Sequence, residues 1–505
     1  MDYLKIGKAT DLEGRDRFLY RLLEIFPGFL SWSTLLGLLV LSYFKPIWVA
    51  YFMIAFDVYW LLLVIYLGVH LFAAYFKMKD NVKINWKRKC RDLDWQNVLH
   101  LIIFPVCNED IEVIRTSFQA LLDDGYPTDK MIVVLATEER AGEEAQTRAK
   151  KIEREFGNKF KHFVITIHPE NLAGEIKGKG SNQAWSAKEV KRQIIDKYHY
   201  NYDKIMVSIF DIDTIVSCGY FFRLTYEFLT VEKPYQTSYQ PIPVYHNNLW
   251  QSPFFARVAS SSNTFWQMMQ QIRQDKLATY SSHSMTWRAL VDIGFWGTHM
   301  VSEDSRIFWH CLLHYKGDYK VQPLYYPVSM DVCMAGNVWQ TMKSLYKQQR
   351  RWGWGVENVP YLMFNTIKNW KNLPRGKFVN KILVQLHGFH SWATNALLIA
   401  VIGWMPILLG GDRFNTTVLS TNLPVVTRSL MTLAMVGLVF SAIISTLLLP
   451  PRPKKYGFSK NIIMFFQWLV LPFSIIIFGA IPGLSAQTRL MFGKYLGFWI
   501  TPKKR

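Results

Sequence analysis

Two aspartates one residue apart, Asp211 and Asp213, follow the apolar run Ile205-Met206-Val207-Ser208-Ile209-Phe210. Alternate residues of an extended chain point the same way, so both carboxylates can face one site. Hard oxygen ligands of this kind suit Mg²⁺ or Mn²⁺, which keeps waters and bridges to substrate phosphates. A second pair of acids, Glu303 and Asp304, opens a helical pattern. Ser302 stands at its N-cap position, and Ile307, Phe308, Cys311 and Leu312 supply an apolar face. A helix start favours ionised carboxylates. Asp304 can therefore stay charged and accept a proton, or be no more than an acid that a helix start tolerates. The run Lys177-Gly178-Lys179-Gly180-Ser181-Asn182 combines close backbone approach with positive charge ahead of a helix, a setting for an anion, without the spacing of a P-loop. In Gln348-Gln349-Arg350-Arg351-Trp352, Arg351 can pair with phosphate oxygens and Trp352 offers an apolar ring face. The same residues would also serve as an anchor at a membrane surface.

These groups need elements to hold them. Buried strands are predicted at residues 98–106, 131–136, 163–167 and 205–210. Between them Ala141, Ala145, Ala149, Ile152 and Phe156 fall on one helical face that Gly157 ends, and Ser181 or Asn182 can cap a further helix reaching Tyr198. Strands alternating with helices predict an α/β domain with a mainly parallel sheet, whose ligands bind beyond the carboxyl ends of the strands. Asp211 lies at such an end. So do Pro105, Asn108 and Glu109 after the first strand.

The flanks have another character. Uncharged or nearly uncharged runs occupy residues 25–44, 46–76, 382–411, 429–451 and 461–488, each long enough for the ~20 residues of a membrane helix. Asp57 interrupts the second run and is an intramembrane functional candidate, or equally a carboxylate near the far headgroups. The 505 residues carry a net charge of +20, and the basic residues cluster beside the apolar runs. That placement, with no nucleic-acid motif, favours the lysine and arginine bias of a membrane protein over nucleic-acid binding. Arg21, Lys77 and Lys79 put the N-terminus and the central domain on the cytosolic side. The charged opening is not a cleavable signal peptide. The five cysteines form no CxxC pair and read as buried free thiols in a reducing compartment.

Taken together and in order, Pro105 to Glu109, Lys177 to Asn182, Asp211-x-Asp213, Ser302-Glu303-Asp304 and Gln348-x-x-Arg351-Trp352 resemble a membrane-integrated family 2 glycosyltransferase of GT-A fold, the group of cellulose, chitin and hyaluronan synthases. The resemblance spans residues 95–355. It implies a Rossmann-like mixed sheet in a cytosolic domain between N- and C-terminal transmembrane helices. It implies an inner-membrane, multi-pass hexosyltransferase that moves a sugar with inversion from a nucleoside-diphosphate sugar, UDP-linked in the expected case, to a growing β-linked polysaccharide. By the same resemblance Asp211 and Asp213 hold the donor diphosphate and its Mg²⁺ or Mn²⁺, and Asp304 is the general base. Pro105, Asn108, Glu109, Lys179, Gln348 and Arg351 line the donor; Trp352, Glu303 and His283 line the acceptor. The tail Phe498-Trp499-Ile500-Thr501-Pro502-Lys503 is similar to the FxVTxK gating loop of cellulose synthases, which assigns gating to Phe498, Thr501 and Lys503; a basic tail on lipid is the rival reading. Expected partners are a nucleotide-sugar, a glycan or lipid-linked acceptor and the bilayer, with no nucleic acid.

Two departures bear on specificity. Thr137-Glu138-Glu139 stands where many members place an aspartate for the nucleobase, and Ser281-Ser282-His283-Ser284-Met285-Thr286-Trp287-Arg288 replaces the usual acceptor segment. The second keeps open an alternative, transfer of a single sugar to a lipid or short glycan. A transporter or structural membrane protein without catalysis is the third possibility, and the intact Asp211, Asp213 and Asp304 speak against it. The expected organisation is an N-terminal region with two membrane helices (1–80), a catalytic domain (81–352), interfacial helices (353–381), a C-terminal membrane region (382–488) and a gating-like cytosolic tail (489–505). Three crossings after the domain would put that tail outside, so the last apolar run, broken at Pro472, is expected to form a re-entrant hairpin.

Overall fold

The computed structural model describes residues 3–499 together with Thr501 and Pro502. Its central sheet has eight strands: β1 (Leu99–Pro105), β2 (Met131–Glu138), β3 (His162–His168), β4 (Ile205–Ile209), β5 (Ile215–Val216), β6 (Thr237–Tyr245), β7 (Ser284–Thr286) and β8 (Lys320–Met330). They lie in the order β3-β2-β1-β4-β7-β6-β8-β5. The first four are mutually parallel. Helices Ile111–Asp123, Gly142–Phe156 and Lys179–Val190 make the crossovers that parallel pairing requires. Beyond β4 the sheet is mixed. β7 runs antiparallel to β4 and β6, β6 pairs parallel with β8, and β5 closes the edge antiparallel to β8.

The period of two explains why these runs are buried on both faces. In β1, Ile102 and Phe104 join a core with Phe118, Val133, Leu135 and Phe210. Their neighbours Leu101 and Ile103 point the other way, to a second core with Ile132, Val134, Trp287 and Leu312. A strand with both faces covered must be apolar throughout. The inner parallel strands β1, β2 and β4 are, apart from inward polar groups such as His100, whose Nε2 lies 2.8 Å from Thr225 Oγ1.

Among the described residues four apolar helices are long enough to cross a membrane: Gly14–Phe44, Pro46–Lys83, Val418–Leu447 and Ser459–Met491. A fifth candidate, Arg375–Ala400 with Ile402–Leu409, is bent by 40°. Phe29, Trp48, Leu62, Val69, Leu433 and Val439 are exposed on their surfaces. Helix Arg375–Ala400 begins ahead of the expected boundary at residue 382.

The expected hairpin at Pro472 does not form. Residues Ser459–Met491 make one helical run, with a 3-10 step at Gln467–Val470 and a π turn at Ile476–Ala480. Proline at the first turn of a helical segment costs no hydrogen bond, and Pro472 occupies that place. Both ends of the run nonetheless touch the α/β domain. Met464 packs with Trp250, Cys333 and Leu345, while Ala486 and Leu490 join a cluster with Val301, Trp354 and Val356. In between, Arg257 donates from Nε to Gln467 Oε1 over 2.7 Å, and Phe478 stacks on Phe255.

Candidate active site

Beyond the carboxyl ends of β1 to β4, Lys179, Asp211, Asp304 and His283 come together. Lys179 opens the helix Lys179–Val190, two residues before the expected cap. Ser181 and Asn182 lie inside that helix. Ser181 donates from Oγ to Ile176 O and Asn182 from Nδ2 to Ala136 O, which stitches the helix start to its preceding loop and to β2. The Lys179 ammonium is buried and lies 2.8 Å from Asp211 Oδ1 and 2.7 Å from Asp304 Oδ2. Burial opposes its charge, but Asp211 and Asp304 overcome that and raise its pKa above the usual lysine value. Gly180 permits the approach, since a Cβ there would stand 3.2 Å from Glu303 Cβ.

Asp211 and Asp213 do not lie on an extended strand. β4 ends at Ile209, and a turn follows in which Thr214 N–H donates to Asp211 O over 2.8 Å. The two carboxylates therefore have different surroundings, contrary to the alternation argument. Asp211 is partly exposed and its Oδ2 accepts from Ser281 Oγ at 2.7 Å. Asp213 is fully buried, and its Oδ2 accepts the Asp331 N–H at 2.8 Å. Asn247 Nδ2 donates to both Asp213 O and Asp331 Oδ1.

Asp304 lies in the first turn of helix Glu303–His314. Ser302 occupies the N-cap position without capping by its side chain. Glu357 acts there instead: its Oε1 accepts Ser302 N–H at 2.9 Å, Ser302 Oγ–H at 2.6 Å and Val301 N–H at 3.3 Å, and its Oε2 accepts Trp354 Nε1–H at 2.8 Å. Glu303 is buried, and desolvation, then the Asp304 charge, holds its carboxyl well above the usual range. His283 is fully buried 4.0 Å from Asp304 Oδ1, with Nδ1 against Tyr280 O at 2.9 Å; burial lowers its pKa and keeps it neutral.

Gln348 is buried on helix Val338–Gly353, and Arg351 near its end faces the Phe498 ring at 5.1 Å. Phe498 also covers Gly178, whose φ is +153° and where a Cβ would meet Phe498 Cγ at 2.5 Å. The tail continues along the domain. Trp499 lies under Lys347, Thr501 is buried and Pro502 O accepts Met334 N–H at 3.3 Å. Lys503 falls outside the described residues. Trp352 is half-buried against the cluster of Tyr245, Met330 and Cys333. Pro105 ends β1, Asn108 is exposed in the following turn, and Glu109 Oε2 accepts the N–H of Cys107 at 2.8 Å.

A cavity of about 240 Å³ opens beside this cluster at the ends of β2 and β3. Its walls include Glu138, Arg140, His168, Glu170, Glu175 and Lys177, paired as Glu138–Arg140, His168–Glu175 and Glu170–Lys177. Glu138 is thus a wall of this cavity.

No protein-family model matches the chain, and no curated protein matches its sequence. Among solved structures, it is similar to mannosyltransferase PcManGT from Pyrobaculum calidifontis in complex with GDP-Man and Mn²⁺, at 12% identity over 75% of this chain and 98% of that one, TM-score 0.40. It is also similar to S. aureus TarS, at 11% identity over 68% of this chain and 55% of that one, TM-score 0.36. A TarS 1–349 complex with UDP-GlcNAc matches at 10% identity over 69% and 91%, TM-score 0.32.

Sequence reasoning missed Glu357, Asn247 and Asp331, and treated Ser281 only as a departure. Glu357 did leave a signal, a lone acid within the aromatic and apolar stretch from Trp352 to Phe364. Asp57, the acid of the second apolar run, is buried and faces a cavity of about 10 Å³ that also touches Gly403, Pro424 and Thr427. Of the cysteines, Cys218 is exposed rather than buried.

Proposed function

We propose that this protein is a membrane-bound glycosyltransferase of the family 2 type, using a nucleoside-diphosphate sugar to extend a β-linked polysaccharide. The observation that carries the reading is the meeting of Lys179, Asp211 and Asp304 at the carboxyl ends of the parallel strands, with Phe498 lying over both Gly178 and Arg351. Residues more than 300 positions apart converge on the crevice where such a sheet binds ligands.

The nucleotide would occupy the cavity beside Glu138 and Lys177, with its diphosphate turned toward Lys179 and Arg351. Asp211 is the residue that would hold Mg²⁺ or Mn²⁺, with Asp213 fixed behind it by the Asp331 amide. The Lys179 ammonium lies against Asp211 and Asp304 as a stand-in cation, so this pocket fits positive charge. A bound divalent ion would supply charge to stabilise the departing diphosphate. Asp304 accepts the proton of the acceptor hydroxyl as that oxygen attacks the anomeric carbon from the face opposite the leaving group. His283, neutral and buried beside Asp304, lines the acceptor side. No covalent enzyme intermediate enters.

In this reading the domain and the tail share the cytosolic side. Arg375–Leu409 and Val418–Leu447 then cross the bilayer, and Ser459–Met491 lies along its surface beneath the domain. The contacts of both ends of that helix with the domain support this arrangement. The test is release of nucleoside diphosphate by the purified protein across a panel of UDP- and GDP-sugars, followed by sizing of the product. A long polymer is expected. Single additions only would replace the polymerase reading with the single-transfer one, and no release with any donor would sink both.

A further inference from the structure

One ammonium group spans the two halves of the proposed chemistry. Lys179 Nζ is within hydrogen-bond distance of Asp211, the carboxylate proposed for the divalent ion, and of Asp304, the proposed base. Ser281 Oγ takes the other oxygen of Asp211. Both oxygens of Asp211 are therefore engaged from within the protein, and a divalent ion arriving at Oδ1 would meet an ammonium already seated there. Like charges at contact distance repel strongly in a partly desolvated site. The lysine also sits next to the residue covered by the tail: Phe498 rests on Gly178, one residue before Lys179.

We propose that Lys179 is a built-in competitor for the divalent ion. It occupies the cation position in the donor-free protein, holds Asp304 in an ion pair, and is drawn off onto the donor diphosphate when metal and nucleotide arrive. Loading of the donor and release of the base then become one event, so Asp304 is freed to take a proton only when a sugar is in place to receive the acceptor. This rests on the reading of the site as a metal-assisted nucleotide-sugar site. It goes beyond that reading by giving Lys179 a role toward the divalent ion as well as toward the donor.

The experiment is Mn²⁺ binding to the detergent-purified full chain, followed by the loss of the free-ion paramagnetic resonance signal. Without nucleotide, Lys179→Gln is expected to bind Mn²⁺ roughly tenfold more tightly than the wild type, because the competing charge is gone, whereas Lys179→Arg stays weak. Added UDP or GDP should bring the wild type close to the glutamine variant. Equal affinity of wild type and Lys179→Gln without nucleotide would overturn the competitor role while leaving the metal site intact. Failure of every variant to bind Mn²⁺ even with nucleotide would remove the metal reading and the proposal with it. A measurement on the wild type avoids dependence on the variants' folding. Acetylation of Lys179 by an amine reagent, read by mass spectrometry against the more exposed Lys177, should speed up on addition of Mn²⁺ alone and slow again with nucleotide. A rate that Mn²⁺ does not change would count against the proposal.

Discussion

At the scale of single residues, the acids of the site divide by what surrounds them. Asp304 is half-open and ion-paired, Glu303 beside it is buried and held above the usual carboxylate range, and Asp213 is sealed under the Asp331 amide. Replacing Asp304 with Asn should lower turnover by about 100- to 10,000-fold, the usual worth of a positioned base, while nucleotide binding persists in a direct titration. Glu303 gives a pH signature. Its folded pKa lies above the value of 4.5 that it has when unfolded, so its contribution to stability is complete below 4.5 and is lost as pH rises through the folded value. Thermal midpoints of the wild type should therefore fall with rising pH in that window, and Glu303→Gln should flatten the decline. A parallel decline in the variant would show that the carboxyl is not the source.

Elements place these residues, and one contact between elements stands out. Glu357, outside the helix that carries Asp304, supplies the anionic cap which Ser302 does not supply by itself, and ties that helix to Trp354 beyond the end of Val338–Gly353. Glu357→Ala leaves buried donors unpaired, a cost of about 1–3 kcal/mol for each group. The thermal midpoint should drop, with turnover reduced more than donor affinity, and Glu357→Gln should recover part of both. An unchanged turnover in a folded Glu357→Ala protein would show that the cap does not position the proposed base. The same contact marks where sequence reading stops. The inner parallel strands were legible because burial on both faces demands continuous apolar runs, and Lys179, Asp211 and Asp304, each singled out within a short local run, do come together in space. Long-range partners leave no periodicity. Nothing local ties Glu357 to Ser302, 55 positions away, or Asp331 to Asp213, 118 away. The alternation argument also failed locally at Asp211 and Asp213, because the strand ends before the first aspartate and a turn redirects both carboxylates. Pro472 misled for the opposite reason: a proline in the first turn of a helical segment does not break it.

For the whole molecule, the core of the α/β domain sets the acid limit. His100 is fully buried in β1, and desolvation lowers its pKa from 6.5 to about 3. The unfolded chain binds this proton below 6.5 and the folded one does not, so stability is lost as pH falls through that window, at up to about 1.4 kcal/mol per pH unit. Thermal midpoints in detergent should decline from pH 6.5 downward, and His100→Gln should remove that part of the slope; a slope unaffected by the substitution would assign acid lability to other groups. The remaining consequence concerns the order in which the molecule is made. Phe498 covers Gly178 from 320 positions further along the chain. At ribosomal rates of about 5–20 residues per second, Asp304 completes the crevice beside Lys179 about 10–40 seconds before its cover emerges. During biogenesis this pocket is therefore uncovered, and the covered form can arise only after the helices of residues 375–491 have left the ribosome.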